Sequence, residues 1–173
     1  MTARRDEPYD TMRDALISDD GVYRYLLQRF WDVRREALNF VMLNPSTADA
    51  ILDDPTIRRC LGFARALGFG SLEVTNLFAL RSTDPKALRV HIAPVGPEND
   101  EVIVSSARVC HMTICAWGNH GNYMNRSSHV LDLLRKAGVK PHALRIGKTG
   151  QPGHPLYLKG DLQPVELVGE TTK

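Results

Sequence analysis

Apolar runs of strand length alternate with segments of helical periodicity along most of this 173-residue chain. The run at residues 38–43 is apolar apart from one asparagine, which is typical of a strand buried on both faces. Asp54 can then cap a helix that has Pro55 at its first position, and Gly68 can end it. The apolar residues at helical spacing between them are Ile57, Cys60, Leu61, Ala64 and Leu67. This alternation predicts βαβ units.

The rest of the chain continues the pattern. The predicted elements, in order, are an edge strand at 22–31, the strand at 38–43, the first helix, a strand at 71–75, a short helical turn from Asp84 to about Leu88, a helix capped by Asn99, a strand at 112–116, a helix capped by Ser128, a strand at 143–146 and a last strand near 165–167. The buried side of the helix after Asn99 is expected to use Val102, Ile103, Ala107 and Val109 or their neighbours. The fold class is therefore α/β, a three-layer α/β/α arrangement with a mostly parallel central sheet.

The length and composition indicate one globular domain. Residues 21–173 are long enough for a single α/β domain, and the charged residues 1–20 are interpreted as a loose lead-in. The chain has no signal-peptide core and no apolar stretch of the roughly 20 residues that span a bilayer. Its three cysteines lack paired spacing, which is typical of reduced thiols. We expect a cytoplasmic protein with no membrane segment, and the net charge of +2 neither requires nor excludes nucleic acid.

A polar segment rich in asparagine, glycine or proline follows each of four predicted strands. The segments lie at 44–47, 76–81, 117–122 and 147–155. Open α/β sheets bind their ligands beyond the carboxyl ends of the strands, where segments of this kind meet. The four segments are therefore predicted to form one site.

The sequence contains no standard cofactor or metal motif. The tripeptide Gly-Lys-Thr at 147–149 resembles the end of a phosphate-binding P-loop, but His142 stands where the first glycine is required. No Gly-x-Gly-x-x-Gly follows an early strand, and no Gly-x-Ser-x-Gly marks a hydrolase nucleophile. The histidines and cysteines lack the spacing of metal ligands, and Asp49, Asp53 and Asp54 are interpreted as solvated or capping residues. We therefore predict neither a metal nor a cofactor.

Several residues in the four segments are candidates for binding. Asn44 and Pro45 form either an ordinary turn or a rigid turn that aims the amide and the hydroxyls of Ser46 and Thr47 into the crevice. The amide of Asn76 could read a donor and an acceptor on one base edge. These side chains therefore favour a polar, planar ligand.

Basic residues near the same segments form a second group of candidates. His154 lies between Gly153 and Pro155, an extended and stiff setting that favours a functional role over a place in the core. The candidates for phosphate contacts are Arg81, Arg126, Arg145 and Lys148.

Five short motifs point to a family. They are Met-Leu-Asn-Pro-Ser-Thr-Ala-Asp from Met42, Asp-Pro-Thr-Ile from Asp54, Asn-Leu-Phe-Ala-Leu-Arg from Asn76, Ala-Trp-Gly from Ala116 and His-Pro-Leu-Tyr from His154. Over residues 23–167 they closely resemble the bacterial and phage family catalogued as domain of unknown function 1643. That resemblance implies no particular activity.

The order of these motifs is also similar to that of the uracil-DNA glycosylase superfamily, which has a three-layer α/β fold. Leu-Asn-Pro-Ser at 43–46 resembles its first motif, which reads Ile-Asn-Pro-Gly in the mismatch-specific branch. Asn76 is placed like the base-reading asparagine of other branches, and Ala-Trp-Gly at 116–118 resembles a Leu-Trp-Gly strand end. His154-Pro155 resembles the start of the His-Pro-Ser-Pro motif, whose histidine supports the departing base.

This second resemblance implies an N-glycosylase-type hydrolase with two catalytic residues. Asn44 would orient a water molecule, and His154 would stabilise the negative charge on the departing base. Asn76 would read the base edge, while Phe78 or Trp117 would stack on the base. The other implied substrate-binding residues are Pro45, Ser46, Thr47 and Gly118, with Arg81, Arg145 and Lys148 on flanking phosphates.

The chain departs from the superfamily pattern in several ways. No aspartate or glutamate adjoins Asn44, Ser-Pro does not follow Pro155, and cysteine ligands for a cluster are absent. The leading hypothesis is a protein that recognises a nucleobase or nucleotide and hydrolyses an N-glycosidic bond in DNA or a nucleotide. One alternative is a non-catalytic binder of a nucleotide or of single-stranded nucleic acid. The other is an enzyme that acts on a free nucleoside or sugar phosphate.

Overall fold

The computed structural model describes residues 12–169. They form a single sheet of seven strands, together with four α-helices. The strands are β1 (Met12–Ile17), β2 (Arg24–Phe30), β3 (Ala37–Met42), β4 (Ser71–Asn76), β5 (Met112–Cys115), β6 (Pro141–Ala143) and β7 (Val165–Glu166). The helices are α1 (Pro55–Ala66), α2 (Ala87–Val90), α3 (Asn99–Val109) and α4 (Arg126–Lys136), with short 3-10 helices at Asn119–Asn125 and Pro155–Tyr157. The predicted α/β class is confirmed.

The sheet is mixed, with the strand order β1-β2-β4-β3-β5-β6-β7. Its centre is parallel, because β4, β3, β5 and β6 run in one direction. The pairs β1–β2, β2–β4 and β6–β7 are antiparallel. The expectation of a mostly parallel sheet therefore holds for the four central strands only, since antiparallel strands extend both of its sides.

The segment interpreted as a loose lead-in contains a strand. β1 pairs with β2 from Met12 to Ile17, so the lead-in prediction is wrong for these residues, and residues 1–11 lie outside the described part of the chain. β2 is consequently an inner strand and not the edge strand predicted at 22–31. The charges of β1 fit a strand because its residues alternate between exposed and half-buried positions.

Helices pack on both faces of the sheet. Phe40 and Met42 of β3 belong to the core cluster that contains the apolar residues of α1. Val41, between them, belongs to the cluster that contains residues of α3 and α4. Successive side chains of a strand point to opposite faces, so α1 covers one face, here called the α1 face, while α3 and α4 cover the other.

The predicted cap of α1 is confirmed, whereas that of α3 is wrong. The Oδ1 atom of Asp54 accepts a hydrogen bond of 2.9 Å from the backbone N–H of Ile57. Asn99 opens α3 without capping it, because its Nδ2 donates to the carbonyl oxygens of Asn76 (2.9 Å) and Leu77 (3.1 Å). Those carbonyls belong to the last residue of β4 and to the residue after it, where buried backbone groups need donors.

Two further details of α3 and α4 differ from the prediction. α4 begins at Arg126, after Asn125 has adopted a left-handed φ of 54°, so Ser128 lies inside the helix. Val109 was expected to be buried but is 72% exposed, because α3 turns Ser106 toward the sheet instead. The Ser106 hydroxyl donates to the carboxylate of Glu73 on β4. A buried polar contact therefore replaces part of the expected apolar packing.

Short elements are shifted by a few residues from their predicted positions. α2 starts at Ala87, after a turn in which Asp84 Oδ1 accepts a hydrogen bond of 2.9 Å from the N–H of Lys86. β6 ends before the strand predicted at 143–146 is complete, since Ile146 turns back to bridge with Pro152. The last strand, predicted near 165–167, is confirmed as β7.

No helix among the described residues has the length and apolar character needed to cross a bilayer. Cys60, Cys110 and Cys115 are free thiols, and burial raises the pKa of each one. Within residues 12–169, no group of three or more histidine, cysteine, aspartate or glutamate side chains is arranged to hold a metal ion.

Candidate functional site

A cleft of about 550 Å³ opens beyond the carboxyl ends of the central strands. The chain passes from β3 to β4 on one side of β3 and later returns to β5 on its other side. Open α/β sheets bind ligands at such a point, because the connections diverge and leave a crevice. Segments after β3, β4 and β5 line the cleft together with residues 153–158. The predicted site residues that line it are Asn44, Ser46, Asn76, Trp117, Gly118 and His154.

Asn44 and Asn76 continue the α1 face of the sheet beyond its apolar part. Asn44 follows Met42 by two residues on one chain segment, and Asn76 follows Val74 by two on the next. The register of the β3–β4 pair sets Met42 beside Asn76. Met42 and Val74 line the cleft as well. The two amides therefore stand at the edge of an apolar floor.

The side chain of Asn76 is buried without hydrogen bonds. It is 1% exposed, and neither its Nδ2 nor its Oδ1 has a partner within residues 12–169. A buried polar group without a partner costs about 1–3 kcal/mol, so most such groups in native proteins are paired. Asn76 also belongs to the lining of the cleft.

The backbone holds the amide of Asn44 in one orientation. Its Nδ2 donates to the carbonyl oxygens of Pro45 (3.1 Å) and Ser82 (3.0 Å), which uses both amide hydrogens. The Oδ1 atom, an acceptor, makes no hydrogen bond to the described residues and can accept one from a water molecule. Ser46 lines the cleft, whereas Pro45 is buried and Thr47 is exposed, and neither belongs to the lining.

His154 lies on the wall of the cleft that residues 153–158 form. Burial lowers its pKa below the usual value, an effect that the negative charge of Asp54 partly opposes. Its Nδ1 accepts a hydrogen bond of 3.3 Å from the backbone N–H of Leu156. The proton of the neutral ring therefore resides on Nε2, which can donate to a ligand. Arg59 of α1 holds this segment by donating to the carbonyl oxygens of Pro155 (3.2 Å) and Leu158.

Asp54 lines the cleft and gives it a carboxylate. No aspartate or glutamate adjoins Asn44 in the sequence, so this carboxylate comes from a different segment of the chain. One of its oxygens caps α1, and the other makes no hydrogen bond to the described part of the chain. Asp54 lines the cleft together with Arg24 and His154, and its negative charge raises the pKa of both against the effect of burial. The sequence indicated Asp54 only as a helix cap, because a capping aspartate and a ligand-facing one have the same local pattern.

Arg24 lines the cleft from β2, although sequence analysis gave it no role. Its Nη1 donates to the carbonyl oxygen of Ala48 (2.7 Å), while Nε has no partner among residues 12–169. Burial lowers the pKa of its guanidinium to about 10, against the charge of Asp54. The β1–β2 register shifts between Leu16 and Ile17, so Tyr25 is the extra residue of a β-bulge. A bulge reverses the alternation of side chains, and no sequence pattern marked it.

The two aromatic residues predicted to stack on a base have buried rings. Phe78 is fully buried in the core cluster of α3 and α4, and it does not line the cleft. The Trp117 ring is almost fully buried, and its Nε1–H donates to Gln151 Oε1 at 2.7 Å. Gly121 makes room for that ring, since a Cβ there would lie 2.1 Å from Trp117 Cδ1. Gly118 has a φ of 76°, and its N–H donates to Pro152 O at 2.8 Å, which joins two of the segments at the cleft.

The basic residues predicted to contact phosphates do not line the cleft. Arg81 is half-buried, and its Nη1 donates to the carbonyl oxygen of Gly21 at 3.3 Å. Arg145 and Lys148 are exposed on the loop after β6. Arg126 is buried and forms an ion pair with the Asp100 carboxylate at 2.7 Å. Its guanidinium also donates to the carbonyl oxygen of Leu77, just after β4.

Comparison with known proteins gives one finding. Residues 24–156 match the family described as protein of unknown function (DUF1643), which is more than half of the chain. No curated protein and no solved structure matches the chain at a significant level. The matched region contains Arg24, Asn44, Asp54, Asn76 and His154, five of the polar residues that line the cleft.

Proposed function

The chain belongs to the DUF1643 family of proteins of unknown function, and we propose that its cleft recognises a nucleobase, free or as part of a nucleotide. The observation that carries the proposal is the Asn76 amide, which is buried in the cleft wall with both Nδ2 and Oδ1 unpaired in the described chain. An amide presents one donor beside one acceptor, and the edges of nucleobases present the complementary pair.

The shape and lining of the cleft support a flat ligand with a polar edge. Its volume of about 550 Å³ lies within the range of small-molecule sites. Met42, Val74 and Ile57 give it apolar surface next to the polar atoms of Asn76. A base can therefore bury its faces against these side chains while its edge pairs with the amide.

Binding of bases to matched variants tests this proposal. Calorimetric titration of the wild-type protein with the common bases, nucleosides and 5′-mononucleotides is expected to identify at least one ligand. Asn76→Leu should weaken its binding by about 5- to 150-fold, because a bidentate pair with a base contributes about 1–3 kcal/mol. Thr75→Val is the control, since Thr75 is buried beside Asn76 and bonds to Asn39 outside the cleft.

Two results would count against base recognition. In one, the wild-type protein binds no base, nucleoside, nucleotide or oligonucleotide. In the other, Asn76→Leu binds as tightly as the wild type does while remaining folded.

A second, more specific function is hydrolysis of the N-glycosidic bond, and Asp54 is the observation that favours it. Water held by Asn44 Oδ1 would attack the sugar carbon and give its proton to the free oxygen of Asp54. The bond from that carbon to the base nitrogen breaks, and the base leaves with the electron pair. Nε2–H of His154 stabilises the negative charge on the departing base, which solvent later protonates.

Asp54→Asn separates this catalytic role from the structural one. Asparagine caps helices about as well as aspartate, so α1 should remain intact while the proton acceptor is lost. If Asp54 is the general base, release of the base should slow by about 100-fold or more. Wild-type activity in Asp54→Asn would remove Asp54 from the mechanism. A wild-type protein that binds a base through Asn76 but never releases one from a sugar would be a non-catalytic binder.

The proposal includes the three-layer arrangement of the uracil-DNA glycosylase superfamily. Helices on both faces of the sheet and a parallel centre support it. So does the position of the motifs at 43–46, Asn76, 116–118 and His154, which meet at one edge of the sheet. A crystal structure with a base bound, superposed on members of that superfamily, would test the arrangement.

A further inference from the structure

A smaller cavity of about 210 Å³ adjoins the cleft and shares two of its lining residues, Pro85 and His120. We name it the Tyr123 pocket. Its other lining residues are Asp84, Lys86, Leu88, Arg89 and Tyr123. The two shared residues make this pocket a direct neighbour of the cleft.

The pocket contains an aromatic ring that is partly accessible, unlike Phe78 and Trp117. Tyr123 is half-buried, with its ring tilted against Phe78 at a centroid distance of 5.7 Å. The guanidinium carbon of Arg89 lies 4.8 Å from the centre of the Tyr123 ring. Tyrosine rings and arginine planes are the surfaces on which unpaired bases stack.

The backbone next to Tyr123 is strained. Met124 and Asn125 have φ values of 51° and 54°, the only non-glycine residues with positive φ between residues 12 and 169. Strain of this kind persists only where the surrounding structure enforces it, and it concentrates at ligand clamps. The two residues terminate the segment that carries Tyr123 and begin α4, so they fix the position of the ring.

The charges around the pocket suit a phosphate. Lys86 and Arg89 are exposed cations on the wall, and His120 lies between the pocket and the cleft. Asp84 is the single acidic lining residue, and one of its oxygens is used by the N–H of Lys86 at 2.9 Å. The cleft itself is lined by one arginine, the buried Arg24, which already donates to Ala48 O.

The geometry points to the Tyr123 pocket as a subsite for a nucleotide adjacent to the one whose base enters the cleft. This inference rests on the proposed function and specifies its substrate as a single-stranded nucleic acid. Tyr123 stacks on the neighbouring base, and Lys86 and Arg89 contact the phosphate that joins the two nucleotides. The residues that contact the phosphate of the nucleic acid are thus on α2 and the turn before it. Arg145 and Lys148, on the loop after β6, were predicted for this role but do not line either cavity.

The test compares mononucleotides with dinucleotides. The 5′-mononucleotide that binds most tightly is titrated beside the dinucleotides that carry a thymidine on either side of it. For one of the two dinucleotides, the wild-type protein should bind about 5- to 150-fold more tightly than it binds the mononucleotide, the range expected for one stacked base. Tyr123→Leu should reduce this ratio to about one without changing mononucleotide affinity, and Tyr123→Phe, which keeps the ring, should retain it.

Arg89→Ala provides a second measurement that does not alter the ring. It should lower dinucleotide affinity and flatten its dependence on salt, because a phosphate neighbour is lost. Arg108→Ala, an exposed arginine on α3 that lines neither cavity, is the matched control and should change neither quantity.

Each result decides between the two proposals. Equal affinities for mononucleotide and dinucleotides, with binding that depends on Asn76, would overturn the subsite and leave base recognition in place. A ratio unchanged in Tyr123→Leu and Arg89→Ala would also overturn the subsite. If neither kind of ligand binds the wild-type protein, both proposals are wrong.

Discussion

Replacing Asn76 with leucine is expected to stabilise the free protein while it removes base recognition. The amide is 1% exposed, and its two polar atoms have no partner in the described chain. Two such groups together cost about 2–6 kcal/mol. Leucine branches at the same carbon as asparagine but is larger, and its extra volume should cost about 1–3 kcal/mol in packing. The midpoints of these two ranges, about 4 and about 2 kcal/mol, give an expected rise of about 2 kcal/mol in the free energy of unfolding.

Urea unfolding measures this change directly. The midpoint should move to higher urea with an unchanged slope, since both variants expose about the same surface on unfolding. For a protein of this size, each kcal/mol corresponds to about 2–4 °C, so a gain of about 2 kcal/mol should raise the melting temperature by about 4–8 °C. Thr75→Val, which removes a hydroxyl that bonds to Asn39 at 3.3 Å, should not bring a comparable gain.

A loss of stability in Asn76→Leu would refute this reasoning. A decrease of more than about 1 kcal/mol in the free energy of unfolding would mean that the Asn76 amide stabilises the fold, and that it is not an unpaired group available to a ligand. A stabilised variant that still binds its base would confirm that the unpaired polar atoms of Asn76 destabilise the free protein. It would, however, show that other cleft residues read the base.

The remaining predictions concern three other residues. Asp54→Ala should cost about 0.5–2 kcal/mol of stability and Asp54→Asn close to none; equal losses in chemical unfolding would contradict the cap. Because burial lowers the pKa of His154 below 6.5, the unfolded chain takes up a proton first, and the free energy of unfolding should fall as the pH drops below about 6.5. His154→Gln should lose that dependence, and an unchanged pH profile would exclude His154 as its source. Gly121→Ala should cost about 1–3 kcal/mol and alter the Trp117 fluorescence, because its Cβ would lie 2.1 Å from the ring; wild-type melting would contradict this.

The position of the cleft follows from sequence patterns that have a direct physical meaning. A buried strand such as β3 is recognisable because a continuous apolar run of this length is typical of a strand covered on both faces. The polar residues that follow it must then lie beyond its carboxyl end. Asn44, Asn76 and His154 line one cleft for this reason, since Asn44 follows β3, Asn76 ends β4 and His154 lies in a stiff loop at the same edge of the sheet.

The residues that sequence analysis did not identify owe their places to longer-range geometry. Arg24 reaches the cleft through a β-bulge, which depends on how β1 and β2 pair and leaves no local signal. Trp117 follows its strand as the site residues do, yet the alternation along β5 turns its ring into the core of α3 and α4. Phe78 enters the same cluster together with its neighbour Leu77, after the alternation of β4 has ended. Exposure of an aromatic ring thus cannot be deduced from its position after a strand.

The cleft takes one wall from Arg24, near the start of the described chain, and another from residues 153–158, near its end. No contiguous fragment holds the whole site, and a ligand inside it acts as a removable crosslink between distant segments. At a concentration of 100 times its Kd, such a ligand would add about 2.7 kcal/mol to the free energy of unfolding. Degradation of the protein in a cell should therefore slow when its ligand accumulates, so that the amount of protein follows the supply of the molecule it binds.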